Sequence, residues 1–158
     1  MNNLLTAEEI VNNPDSMILM GLDISPRHCG IAVTDSKRIA TKPLLSLTWN
    51  KRKYKKFLYH IAELAQEYKA QGFVIGLPIN VYEVLPKSKI FIKNIGHNLR
   101  QITGLPHYFQ EEHYSTIMAT SFLRGNMSQR KIKSRQNEIA ASYILQSFLE
   151  DHRKIVNN

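Results

Sequence analysis

One acid on an apolar strand is where this chain's chemistry begins. In MILMGLDISPRHCGIAVTD, Met17 to Asp35, an apolar run from Met17 to Met20 leads through Gly21 to Asp23. A polar turn of Ser25, Pro26, Arg27 and His28 follows, then Gly30 and a second β-like run, Ile31 to Val33. The stretch reads as a hairpin with one carboxylate at its heart. Desolvating a charge is unfavourable unless a counter-charge, hydrogen bonds or a metal ion offsets it, so Asp23 needs partners from elsewhere in the chain. A later strand, His107 to Gln110, delivers Glu111 and Glu112 at its C-terminal end, where open α/β sheets hold their ligands. Acids at strand ends have no packing reason to be there.

Other constellations carry less. The six histidines, at 28, 60, 97, 107, 113 and 152, show no metal-ligand spacing, and His60 and His97 read as helix-surface residues. The single cysteine, Cys29, excludes an intramolecular disulfide and a cysteine-based zinc site, and beside Gly30 it reads as a small buried hydrophobe. No serine sits in a nucleophile-elbow pattern, and no Walker-type phosphate loop is present. Basic residues form two clusters: Lys51, Arg52, Lys53, Lys55 and Lys56, and then Arg130, Lys131, Lys133 and Arg135. Only the second is adjacent, in this reading, to the acids.

The elements that position these groups follow from periodicity and punctuation. Residues 1 to 16 form an N-terminal extension in which Thr6 and Glu9 have capping-box spacing for a short helix from Ala7 to Asn12. After the hairpin, Ile39 to Leu47 reads as a third strand, with Pro43 pointing to an edge position or a bulge. A helix begins at Asn50, with Tyr54, Phe57, Leu58, Ile61, Leu64, Ala65 and Tyr68 at helical spacing and Gly72 as its stop. Phe73 to Gly76 is a buried strand parallel to the first, ending in the loop Leu77, Pro78, Ile79, Asn80. A second helix spans Pro86 to Thr103, closed by Gly104. After Glu112, Ser115 or Thr116 caps a helix reaching Arg124, and Asn126 to Lys133 reads as a basic loop. Ser134 caps the last helix, which turns Asn137, Ala140, Ala141, Ile144 and Phe148 toward the sheet; one helical step of about 100° aims Glu138 away. The final eight residues, 151 to 158, read as a frayed polar tail.

The whole chain sets the bounds. At 158 residues and 43% hydrophobic content it can fill one core and not two comfortable domains. It has no apolar run of the roughly 20 residues that cross a bilayer, and no basic-then-apolar leader, so a cytoplasmic protein without membrane contact is expected. Twenty-one basic against 13 acidic residues give a formal charge of +8, which favours polyanions through counterion release. A basic surface that only confers solubility is the competing reading.

Three meander strands, helix, strand, helix, strand and further helices is the layout of the RNase H-like fold: a central mixed five-stranded sheet, antiparallel then parallel, flanked by helices. Within that fold the chain resembles the YqgF (RuvX) family of pre-16S rRNA nucleases and Holliday-junction-resolvase-like proteins. The resemblance runs from Met17 to Glu150. It rests on GLDISPRHCGIAVTD, the GLPIN loop at Gly76 to Asn80, EEHYST at Glu111 to Thr116, and the NEIAASYILQSFLE helix. Four departures stand out. Ser25 replaces a usual glycine, the usual basic pair is only partly kept as Arg27 and His28, Glu111-Glu112-His113 stands where the family reads Asp, Glu, Arg, and Asn137 occupies the position of a third acid.

The resemblance implies metal-assisted phosphodiester hydrolysis, with Mg²⁺ or Mn²⁺ held by Asp23, Glu112 and Asn137. Uncharged Asn137 lowers the site's negative charge and should weaken metal binding. Glu138 substitutes only if the helix start is shifted. Ser25, Arg27, His28, His113, Arg130, Lys131, Lys133 and Arg135 are candidates for nucleic-acid contact. The implied partner is RNA, a pre-rRNA, or branched DNA, bound by a monomer or weak homodimer. Two other readings are carried: a catalytically weakened nucleic-acid-binding protein, and a Holliday-junction-type DNA resolvase, which would need a two-fold dimer. An ATP-binding domain fits poorly, because 7 glycines are spread along the chain with no nucleotide loop.

Overall fold

A computed structural model of the chain describes residues 10, 17–35, 40–79, 86–112 and 135–156. Five strands form one sheet: β1 (Leu19–Ile24), β2 (His28–Thr34), β3 (Thr41–Thr48), β4 (Gly72–Pro78) and β5 (His107–Glu112). Their spatial order is β3-β2-β1-β4-β5. β1, β2 and β3 are the antiparallel meander, and β4 and β5 run parallel to β1. Three helices flank the sheet among the described residues: α1 (Tyr54–Glu67), α2 (Pro86–Thr103) and α3 (Gln136–Val156). This is the mixed five-stranded architecture expected from the order of elements.

The central strands β1 and β4 are covered on both faces, so each reads as a nearly unbroken apolar run. On one face Met20, Leu22, Phe73 and Ile75 share a core with Phe57, Leu58 and Ile61 of α1 and Ile92, Ile95 and Leu99 of α2. On the other, Leu19, Ala32 and Val74 pack with Ala140, Ala141, Ile144, Leu145 and Phe148 of α3. Ile10, the one described residue of the N-terminal extension, is helical and fully buried in this second core.

Pro43 meets both halves of its expectation. β3 is an edge strand, and its register with β2 shifts at this point: Ile31 pairs with Leu45 and Ala32 with Pro43, which leaves Leu44 as the extra residue of a bulge. Gly104 takes φ 71° after α2, the left-handed helix stop anticipated for it.

Two helix ends differ from the sequence reading. Gly72 is not the stop of α1 but the first residue of β4; Lys69 takes the left-handed conformation, at φ 57°. The Gly72 backbone is packed closely by side chains, an added Cβ lying 2.9 Å from Cδ1 of Ile10. Residues 151–156 are not frayed either, because α3 continues to Val156. Gln110 donates to Asp151 Oδ2 at 2.8 Å, and the His152 ring packs against Tyr108 and Phe148, which ties this end of the helix to β5. A polar sequence looks like a tail when its partners on another strand are out of sight. The expected helix after Ser115 and the basic loop, 126–133, lie outside the described residues.

Candidate active site

Parallel pairing brings the C-terminal ends of β1, β4 and β5 to one edge of the sheet. Side chains alternate along a strand, so faces can be assigned by counting in twos. Leu19 belongs to the α3-side core, which puts Gly21 and Asp23 on that face; Tyr108 packs against the same core, which puts Gln110 and Glu112 there too. Glu111 points the opposite way and is exposed. The face, more than the strand end, separates the two glutamates. Asp23 and Glu112 look out on the same side, with β4 between them.

Asp23 pairs with Gly30 across the hairpin. It is partly exposed, and its carboxylate has no hydrogen-bond or ion-pair partner among the described residues. Desolvation raises its pKa from 3.8 to about 7. Cys29, fully buried next to Gly30, has its thiol pushed up by burial and then by the charge of Asp23, so it is an inert thiol.

Gly30 fixes where α3 starts. A Cβ there would lie 1.8 Å from the carbonyl oxygen of Asn137 and 2.7 Å from the backbone nitrogen of Glu138. The first turn of α3 therefore rests directly on the strand pair that carries Asp23. Gly21 and Gly76 continue the same bare track, with Leu145 and Ile144 of α3 seated over them.

Asn137 lies at this helix start and is partly exposed, its Nδ2 donating to Ser46 Oγ of β3 at 3.3 Å. The amide is thus directed to the β3 side. Glu138 departs from its expectation: it is buried, with 9% exposure, and pairs with Arg135 at 3.4 Å. The main chain of this turn lies against Gly30, so the helix starts close to the sheet and a step of about 100° does not carry Glu138 into solvent. Among the described residues no three of His, Cys, Asp and Glu converge as a metal cage.

The turn after Asp23 is well fixed. Ser25 N–H and Oγ–H donate to the His28 carbonyl at 2.9 and 3.1 Å, while Arg27 and His28 are exposed. Trp49, a residue the sequence reading passed over, clamps this turn: its N–H donates to Arg27 O at 3.0 Å and its Nε1–H to Ser25 O at 3.2 Å. The indole stacks between Phe57 and Phe91, with centroids at 5.0 and 5.2 Å. Its signal was available, as the chain's lone tryptophan directly before a basic run. His113, Arg130, Lys131 and Lys133 lie outside the described residues, and Arg135 is exposed at the start of α3.

Residues 17–151 match the family model described as RuvX: Holliday junction resolvase. The chain belongs to the RuvX family. A protein of Lactiplantibacillus plantarum is 33% identical over 88% of this chain and 98% of its own length, and one of Lactobacillus delbrueckii subsp. bulgaricus is 31% identical over 87% and 99%. Both carry the name "Putative pre-16S rRNA nuclease". Among solved structures, RuvC of T. thermophilus in complex with a Holliday junction substrate superposes with a TM-score of 0.56, at 12% identity over 85% of this chain and 95% of that one. The fowlpox virus Holliday junction resolvase gives 0.51 at 16% identity, over 85% and 99%. At those identities the two structures speak for the fold alone. By description, RuvX is a family of nucleases, and the acid-bearing edge of this sheet belongs to that family's domain.

Proposed function

We propose that this RuvX chain is a metal-dependent endonuclease that hydrolyses phosphodiester bonds in structured RNA, as in 5′-end processing of pre-16S rRNA. The observation that carries the reading is the pairing of one desolvated, unpartnered carboxylate, Asp23, with a second acid, Glu112, on the same face and edge of the sheet. Oxygen donors of this kind suit Mg²⁺ or Mn²⁺, and a cation there would supply the positive charge that Asp23 lacks. When bound, the ion would position and activate water and stabilise charge on the leaving oxygen. Asp23 and Glu112 would hold it, with the amide oxygen of Asn137 as a neutral third donor.

The chain's own residues do the rest. Ser25, Arg27 and His28 sit on a clamped turn two to five residues from Asp23, where cationic and hydroxyl groups can hold phosphates in register. Arg135 is exposed at the start of α3 and supplies further positive charge there. Arg130, Lys131 and Lys133 shortly before it in the sequence, and His113 directly after Glu112, are further candidates for phosphate contact. RNA is favoured over branched DNA by the names of the relatives, while the description of the family keeps the resolvase reading in view.

The test compares a labelled RNA bearing a pre-16S 5′ extension with a four-way DNA junction, each incubated with Mg²⁺, Mn²⁺ or EDTA. Metal-dependent cutting of the RNA at a defined position, with the junction intact, is the expected result. Symmetric cutting of the junction alone would replace it with the resolvase reading, and binding of RNA without cutting would leave a nucleic-acid-binding protein.

A further inference from the structure

The basic cluster at positions 51 to 56 takes no part in the site described above, yet the fold brings it there. β3 ends at Thr48 opposite His28, and Trp49 is hydrogen-bonded to the turn that follows Asp23. Lys51 begins two residues later. The sequence separation of this cluster from the acids is therefore misleading, because hairpin pairing returns the chain to the edge where β1 ends.

Charge and lining say what this face is for. Lys51, Arg52, Lys53, Lys55 and Lys56 are all exposed, and among the described residues none makes an ion pair. They crowd the N-terminal end of α1, whose first turn holds no acid, and positive charge is unfavourable at that end of a helix. Fold stability does not account for such an arrangement, whereas an anionic partner does. Two clefts share Trp49 as a wall. One, of about 280 Å³, is lined by Lys53, Lys56 and His60 beside Phe57; the other, of about 530 Å³, by Lys51, Tyr54, Phe91 and Asn94. Trp49 and Phe57 are buried and serve as the floor, while Tyr54 and Phe91 are half-buried and His60 is exposed. Cations beside such accessible rings and amides suit an unpaired nucleic-acid strand, since phosphates take the charge while exposed bases stack and hydrogen-bond.

We infer that the face formed by Lys51, Lys53 and Lys56 beside Trp49 binds a single-stranded RNA segment leading away from the Asp23 edge. This rests on the RNA reading above and names a part of the substrate for it: an unpaired flank next to the bond that is cut.

The test measures binding of the full chain, in EDTA so that no metal-dependent cutting intervenes, across a series of KCl concentrations. The probes are a labelled single strand of about 20 nucleotides and an RNA duplex of equal length, longer than one single-strand site of roughly 4–16 nucleotides. Lys53→Gln/Lys56→Gln is compared with Lys42→Gln/Lys69→Asn, which removes the same charge at the opposite end of the sheet. The first pair should lower the slope of log affinity against log salt by about 1.4 for the single strand, and weaken binding about tenfold or more. The second should leave both nearly unchanged. If the two pairs behave alike, or the duplex loses as much as the single strand, the assignment is overturned. If the unmodified protein binds neither RNA, the RNA reading itself falls, an outcome distinct from intact binding that ignores Lys53 and Lys56.

Discussion

Asp23 is a residue whose environment opposes its own ionisation. Its folded-state pKa, about 7, lies above the ordinary 3.8, so between these values the unfolded chain binds fewer protons than the native one. The fold loses stability as pH rises through that window, and the full penalty stands above about pH 7, on the order of 2–4 kcal/mol after allowing for the residue's partial exposure. Asp23→Asn should therefore be more stable than the unmodified protein at pH 8 in EDTA, by about 2 kcal/mol in urea unfolding. The difference should close toward pH 4, and a pH-independent difference would show that desolvation of Asp23 is not its cause. A group that stabilises the fold when neutralised does not contribute to packing as a charge. Asp23 was legible because an acid interrupted an apolar strand. Trp49 was not, because its role is to donate two hydrogen bonds to a turn more than 20 residues away, and no local pattern records a long-range partner.

Between elements, the decisive contact is that of α3 with β2. Gly30 admits the Asn137 main chain where any side chain would collide with it. Gly30→Ala should push the first turn of α3 off the sheet, destabilising the protein by about 2 kcal/mol or more, since overpacking a close contact typically costs 1–3 kcal/mol. The same displacement should lower nuclease activity more than stability alone explains, because Asn137 and Arg135 move with the turn. Urea unfolding alongside cleavage under fully folded conditions separates the two effects; a fully active, stable Gly30→Ala would contradict the contact. The helices were readable from 3.6-residue periodicity, and the edge position and bulge of β3 from one proline. The start of α3 was less so. The helical wheel gave Glu138 an outward direction, but the closeness of helix to sheet at a glycine decides burial there, and that distance is not written in periodicity. Gly72 misled for a related reason: it lies in β4 under the Ile10 side chain, and the left-handed turn falls at Lys69 instead.

At the scale of the whole molecule, the meander, the parallel strands and the glycine track under α3 together bring an acid from β1 and an acid from β5 to one edge and one face, 89 positions apart in the chain. The turn clamped by Trp49 and the cations of positions 51 to 56 lie at that same edge, and a net charge of +8 draws a polyanion toward it. No helix among the described residues is long and apolar enough to cross a membrane. The architecture was legible from the order of elements; the convergence of charge was only half legible, because the hairpin return that brings Lys51 to Asp23 depends on register. The central claim is that Asp23 and Glu112 form one cation site. It is tested most directly by calorimetric titration of Mn²⁺ into the unmodified protein, Asp23→Asn, Glu112→Gln and Asn137→Asp, each confirmed folded by circular dichroism. Saturable binding to the unmodified protein, weakened about tenfold or more by either substitution and tightened in Asn137→Asp, is the predicted result, because affinity for a hard cation follows the number of charged oxygen ligands. Equal Mn²⁺ affinity in all four proteins would contradict it.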